Sequence, residues 1–294
     1  MFTKSLFALV LIFVSAASLH ARAEDGLSRV PMAASDHAAG KLRVMTYNIL
    51  GGRNTDGKRD LTRIAEVIKA LNPDVIAMQE VDVKTTRIKG VDVPAELAKL
   101  TGMHAAFASA MPFAGGNYGD AVLCKFPIKK QMNYMLPCTA GHEPRVAMAV
   151  EFVLPKVATP LVFIATHLDH TDANENRLLQ IKELNDSFTT ASLPGPAILA
   201  GDFNTGAETE EMKLLAKSWT STWPADKPGF TYPADKPSSK IDHIVVQPKV
   251  GWNVLKTFVG DEAFPGDKSW TELLQKTSDH LPLVVELALD ANKN

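Results

Sequence analysis

The chain has 294 residues, with 31 basic and 33 acidic side chains, a formal charge of −2 and a hydrophobic content of 46%. It shows no internal repeat and no low-complexity block, and its length suits one large α/β domain with a sizeable core. The slightly acidic balance argues against a protein that holds nucleic acid through nonspecific phosphate contacts.

In chain order, the first segment has a lone Lys4, an apolar stretch from Leu6 to Val14, then small residues leading to Ala21-Arg22-Ala23. That layout predicts a secretory signal peptide over residues 1–23, cleaved after Ala23. The apolar stretch is much shorter than the ~20 residues of a spanning helix. No later segment approaches that length, so export to the periplasm or cell exterior is expected, with no transmembrane segment after cleavage. Without Lys4 and Arg22, 29 basic residues face 33 acidic ones, a formal charge of −4. Residues 24–40 read as a flexible lead-in, and residues 41–290 as the domain.

From Leu42 the pattern is strand (LRVMTYNIL), then a glycine-containing loop, then a helix. Asp60 is its predicted N-cap, and Leu61, Ile64, Ala65, Ile68 and Leu71 mark one buried face. VIAM at 75–78 is a short apolar strand with Glu80 just past its end. A second helix is predicted from Pro94 to about Gly102. A glycine-rich loop is predicted from Ser109 to Gly119, then a strand AVLCKF closed by Pro127. Further strands are predicted at VAMAVEFVL, LVFIAT, AILA, IDHIVV and LPLVVEL, with helices at about 174–187 and 208–217. Near-continuous apolar strands imply burial on both faces, hence sheet packed on sheet with helices outside. The proline-rich stretch from Ser218 to Lys240 reads as a long surface loop near the site. Cys124 and Cys138 are expected to be separate thiols, Cys124 in an apolar strand.

Polar residues gather where the predicted strands stop or start: Asn48 in TYNIL, Glu80 in MQEVD, His167 in THLDH, Asp202 and Asn204 in GDFNT, and Asp279 with His280 in SDHLPL. Singly each has an ordinary reading as a turn former, a solvated acid or a surface pair. Together they match what cleaving a phosphate ester requires. A hard cation such as Mg2+ takes oxygen ligands, which Glu80 and Asn48 offer. Asp202 suits a base that takes a proton from water. Asn204, His167 and His280 can donate to the charge that builds on phosphoryl oxygens, and Asp242 is the candidate carboxylate that fixes His280. No zinc-type His/Cys set is present.

The ordered series TYNIL, QEVD, YGDAVLCKFPI, EPRVAMAV, THLDH, GDFN, IDHI and SDHLP resembles the endonuclease/exonuclease/phosphatase (DNase I-like) superfamily, over almost everything from Leu42 to Leu287. The resemblance implies an α/β fold, a four-layer α/β/β/α sandwich of two packed mixed β-sheets flanked by helices. It places Asn48, Glu80 and Asp279 at the metal, and Asp202 at the attacking water. Asn204 and His167 fall at phosphate-contacting positions, and His280 at the catalytic histidine with Asp242 as its partner. Arg145, in the arginine-bearing strand motif, is a candidate phosphate contact or a surface partner of Glu143. Arg87 and His170 are weaker candidates that line the cleft rim.

The sequence departs from the superfamily at Leu50, where abasic-site nucleases carry an acid. It departs again at Asp120, where relatives usually have Asn, and at His243, read as a satisfied histidine beside the sheet. The WG-type motif of inositol 5-phosphatases is absent at GDFN. The expected activity is hydrolysis of a small-molecule, lipid or sugar phosphate ester by a monomeric enzyme dependent on Mg2+, with Mn2+ or Ca2+ as alternatives. A secreted nuclease acting on DNA or RNA is the less favoured reading, and a noncatalytic binding module on the same fold the third.

Overall fold

The structure, a computed structural model, describes residues 29–37, 40–155, 157–248 and 251–290. Its strands are β1 (Lys41–Asn48), β2 (Val75–Val83), β3 (His104–Phe113), β4 (Gly116–Cys124), β5 (Lys130–Met135), β6 (Val146–Phe152), β7 (Leu161–His167), β8 (Ala197–Asp202), β9 (Thr220–Ser221), β10 (Asp242–Val246), β11 (Trp252–Val259) and β12 (Leu283–Leu289). The α-helices are α1 (Leu61–Leu71), α2 (Val93–Thr101), α3 (Glu175–Ser187), α4 (Glu210–Leu215) and α5 (Lys268–Thr277).

The strands form two six-stranded mixed sheets, in the orders β11-β12-β1-β2-β4-β3 and β5-β6-β7-β8-β10-β9. β7 shows why the sequence looks so apolar. Leu161, Phe163 and Ala165 face the core between the sheets, whereas Val162 and Ile164 face a second core with Ile181, Leu184 and Phe188 of the α3 layer. A strand covered on both sides loses its polar alternation. Truncating a side chain buried there, such as Phe163, to Ala costs about 3–5 kcal/mol. β2 packs over β7 and β1 over β8, so the C-terminal ends of β1, β7 and β8 meet the start of β10 at one edge of the sandwich.

The helices begin where side chains satisfy their first amides. Asp60, Asp92, Thr209 and Asp267 each accept a backbone N–H at the start of α1, α2, α4 and α5, contacts worth about 1 kcal/mol apiece. Asn72, in the left-handed region, ends α1. The expected α1, α2, α3 and α4 all form, within a few residues of their expected bounds.

Four expectations are corrected. The predicted loop from Ser109 to Gly119 is instead a hairpin of β3 and β4, turned at Ala114 and Gly115, both at positive φ. Its small alternating residues carried little strand signal. β2 does not stop at Met78 but continues to Val83, so Glu80 lies inside the strand. The stretch from Ser218 to Lys240 is more than a surface loop, because it contains β9 and buries Trp219, Trp223, Thr231 and Ala234. β5, β11 and α5 lie in regions read without elements.

Of the expected lead-in, residues 31–36 form no helix or strand. They are tied to the domain by hydrogen bonds from Met32 N to Ala70 O (2.9 Å), from Asn72 Nδ2 to Met32 O (2.7 Å) and from Arg43 Nη1 to Ala33 O (2.9 Å). The expected signal peptide lies outside the described residues. Cys124 is buried, Cys138 is exposed and both are free thiols. No helix among the described residues is long and apolar enough to cross a membrane.

Candidate active site

Strand register alone places three of the site residues in a rank. In the second sheet His167 at the end of β7 pairs with Asp202 at the end of β8, and Asp202 pairs with Asp242 at the start of β10. Neighbouring strands lie about 4.8 Å apart, so these side chains can share one environment. Gly201 belongs to the same device: a Cβ there would come 2.0 Å from Thr166 O, and only glycine lets β7 and β8 approach this closely. Asn48 at the end of β1 comes from the opposing sheet and donates from Nδ2 to Asp202 Oδ2 at 3.1 Å.

Glu80 reaches the site through a backbone irregularity. Between Met78 and Val81 the pairing of β2 with β4 shifts by a residue, and Glu80 takes φ +56°. A bulge of this kind turns a side chain away from the alternation of its strand. Here it brings the carboxylate to Asn48, whose Nδ2 donates to Glu80 Oε1 at 3.2 Å.

His280 arrives on the loop between α5 and β12. Buried Ser278, which the sequence reading leaves without a role, ties that loop to the first sheet by donating to Asn48 O at 2.7 Å and accepting the His280 N–H at 3.2 Å. His280 Nδ1 lies 2.9 Å from Asp242 Oδ2, and its Nε2 is 3.6 Å from Asp202 Oδ2. Burial alone would favour the neutral ring, but Asp242 overrides it by charge and hydrogen bonding, with Asp202 and Asp279 adding to the effect. The imidazole is thereby pushed up to about 10 and is an imidazolium at neutral pH. Asp202 moves in the unusual direction for a carboxylate. Burial and then the Asp242 charge raise it well above the ordinary range, against the pull of His280, Asn48 and the Asn204 N–H. Tyr232 places its ring 4.9 Å from that of His280.

His167 is held neutral, first by burial and then by the cations around it. Arg145 Nη1 lies 3.2 Å from its Nδ1 and Asn204 Nδ2 lies 3.0 Å from its Nε2. A neutral imidazole accepts at one nitrogen only, so these two donors exceed the acceptors by one hydrogen, which an anionic oxygen would take. Arg145 Nε is also buried without a partner. Arg145 is therefore not the surface arginine of the alternative reading. It pairs with Glu143 at 3.2 Å, yet its side chain is only 3% exposed and aims its fork at His167 and His170.

These groups line a cleft of about 500 Å3, with Glu80, Arg145, His167, Asp202, Asn204, Asp279 and His280 all at its surface. Arg87 and His170 sit on its rim. Arg87 is fixed by a bidentate bond to buried Asp82 and lies 4.6 Å from the Phe113 ring centroid. Asp120 lies opposite the bulge, fully buried, and burial pushes its carboxyl up to about 8. At neutral pH it is thus mostly a neutral acid that can donate, as the expected amide would. His243 is satisfied beside the sheet, bonded to Thr205 O at 2.9 Å and to Lys240 Nζ at 3.2 Å.

Two groupings could concern a metal. Asp202, Asp242 and His280 have ligand atoms within 4.8 Å of one another. Asp242 and the imidazolium already neutralise each other there, and a protonated ring has no lone pair to offer. The second grouping, Glu80, Asn48 and Asp279, supplies oxygen only, the donor set of a hard divalent cation. Asn48 faces Glu80 with its amide nitrogen and the Leu50 N–H with its oxygen. That oxygen keeps a second lone pair beside the Leu50 N–H, and the Glu80 and Asp279 carboxylates both line the cleft, so this donor set fits the cation.

Known proteins share this fold. A model of the endonuclease/exonuclease/phosphatase family matches residues 45–280. Among solved structures, an endonuclease/exonuclease/phosphatase from Beutenbergia cavernae is similar at 24% identity and TM-score 0.64, covering 85% of this chain and 72% of that one. A mannosyl-6-phosphatase from Bacteroides thetaiotaomicron is similar at 20% identity and TM-score 0.65, covering 84% of this chain and 100% of that one. The human Nocturnin catalytic domain, solved with a bound sulfate anion, is similar at 22% identity and TM-score 0.65, covering 85% of this chain and 95% of that one. A search of curated proteins returns no match.

Proposed function

The chain belongs to the endonuclease/exonuclease/phosphatase family, whose members hydrolyse phosphate esters, and we propose that it is an exported, divalent-metal-dependent phosphoesterase acting on a compact ester. The observation that carries this reading is Asp202, a buried carboxylate raised toward neutrality and held between two imidazoles and an amide. A base works best when its pKa lies near the working pH. Asp202 takes the proton of the attacking water, and the Asn204 N–H bond to its Oδ1 (3.0 Å) keeps the carboxylate aimed.

Glu80, Asn48 and Asp279 would hold the cation. When bound, it neutralises charge on the phosphoryl oxygens and polarises the phosphorus they surround. Arg145, His167 and Asn204 donate to those oxygens, and preorganised donors of this type are worth about 10²–10³ in rate each. His280, fixed by Asp242, brings a positive charge and a proton to the reacting group.

A compact substrate is supported by the cleft's size and by its two arginines, each already paired with a carboxylate, Arg87 with Asp82 and Arg145 with Glu143. A nucleic-acid track needs cations in series along a backbone. Export rests on the layout of residues 1–23. The test is a panel of phosphate monoesters and diesters, including sugar phosphates, choline phospholipids, RNA and plasmid DNA, assayed with Mg2+ and with excess chelator. Metal-dependent turnover of a small or lipid ester is expected. Efficient plasmid cleavage that falls steeply with salt, with every small ester inert, would replace this reading by the nuclease.

A further inference from the structure

Beside the catalytic cleft lies a second cavity of about 640 Å3, and Asn204 and Ile241 line both. It is enclosed by the turn after β8, by α4 and by the chain from Trp219 to Lys240. Its walls are mainly apolar, with Trp223, Phe230, Met212 and Leu215 among them. The walls are fixed. Trp223 Nε1 donates to Lys227 O at 2.9 Å. Gly229, at φ +59°, is a position where a Cβ would come 2.3 Å from the indole, so only glycine lets the chain cross that ring.

Into this apolar space the fold places a cation. Lys240 is 8% exposed, and its Nζ lies 3.2 Å from His243 Nδ1 and 5.6 Å from the Trp223 ring centroid. Because His243 Nε2 is spent on Thr205 O, its Nδ1 is a neutral acceptor that takes one of three ammonium hydrogens. Among the described residues no carboxylate lies within ion-pair distance of Nζ, and the charge felt from Asp242 is shared with His280. Burial accordingly lowers the ammonium to about 8. Buried cations are normally paired, and this one has its unpaired hydrogens in a chamber large enough for a bicyclic ligand.

We propose that this cavity is the subsite for the non-reacting part of the ester, recognising a flat or apolar group that bears an anionic substituent, with Lys240 as the specificity-determining residue. The inference rests on the phosphoesterase reading for what enters the cavity, since Asn204 stands at the join between subsite and reacting phosphate. The flat group stacks against Trp223 and Phe230, and the anion completes the ammonium's hydrogen bonds.

The binding test does not depend on turnover. The full chain is titrated calorimetrically with 2-naphthoate and with its neutral counterpart 2-naphthamide, at pH 7. The naphthoate is expected to bind at least tenfold more tightly, and Lys240→Met to erase that preference while Lys240→Arg retains part of it. Ala225→Trp, at an exposed position in the cavity wall, should weaken both ligands and keeps the test valid if Lys240→Met fails to fold. Equal affinities in the wild type, no binding of either ligand, a preference that survives Lys240→Met, or unchanged binding in Ala225→Trp would each overturn the subsite. Naphthoate binding of the expected kind in a protein that hydrolyses no phosphate ester would leave the subsite standing and overturn the activity.

Discussion

The floor and the walls of the cleft are built on opposite principles. The floor is a rank of groups fixed by strand register, Asn48, His167, Asp202 and Asp242, each at most 4% exposed, with His280, 5% exposed, bonded to Asp242 from the loop before β12. The walls come from turns and loops. Tyr232 is exposed, and Arg87 is half-buried. Groups held by two packed sheets keep their geometry through any change of substrate, whereas loops can vary without disturbing it. The floor should therefore determine the reaction and the walls the choice of ester.

The sharpest way to break this comparison is to remove a floor carboxylate. Asp202→Ala and Glu80→Ala should each lower turnover by at least about 10³, with circular dichroism and Tm showing an intact fold. The two should differ in kind. Extra divalent cation should recover part of the Glu80→Ala loss and none of the Asp202→Ala loss.

Next in size is the histidine. His280→Ala should cost more than about 10² in kcat. Asp242→Asn should cost less, because the ring stays in place but loses its carboxylate partner. Since His280 is raised in the fold, its ion pair stabilises the protein fully below the unfolded value of about 6.5. That contribution disappears as pH rises through about 10. The Tm difference between wild type and Asp242→Asn should accordingly shrink over this window. A difference independent of pH would remove the imidazolium from the account.

Asp202 makes the opposite linkage. Its carboxyl is raised on folding, so ionising it within the fold costs stability as pH climbs above the ordinary carboxylate value of about 3.9. Asp202→Asn should then be inactive yet more stable at pH 8 by about 1 kcal/mol, a few degrees in Tm. The gain should vanish near pH 4.

Walls should give the smallest effects. Tyr232→Ala and Arg87→Lys are expected to change KM several-fold, differently for different esters, with kcat within about threefold. Lysine lacks the fork that Arg87 uses on Asp82. A kcat loss as large as that of His280→Ala would move these residues from wall to floor.

The same division explains what could be read from the sequence. Asn48, His167, Asp202 and Asp242 were legible because they sit at strand ends, next to apolar runs that announce the strands. Helix α1 was legible because Asp60 and the spacing of Ile64, Ala65, Ile68 and Leu71 agree. Glu80 was found as a residue but not its mechanism of placement, since a bulge depends on the partner strand β4 and leaves no local trace. β11 escaped because Asn253, Val254, Leu255 and Lys256 are all exposed and do not alternate. α5 carries a readable but short and mostly polar signal, Asp267 followed by Trp270, Leu273 and Leu274. Lys240 is one lysine beside a motif in the sequence. Only the enclosure of the chain from Trp219 to Lys240 around it, which proline content alone describes as a surface loop, makes it a buried cation.

The central claim is that the strand-end rank activates water against phosphorus. Hydrolysis of the best ester from the panel in 18O-labelled water, with Mg2+, followed by mass analysis of both products, tests it directly. One labelled oxygen per turnover in the phosphate product, with no label in the alcohol and no reaction by Asp202→Ala, is the predicted result. Label in the alcohol, or labelled phosphate formed as fast by Asp202→Ala as by the wild type, would contradict it.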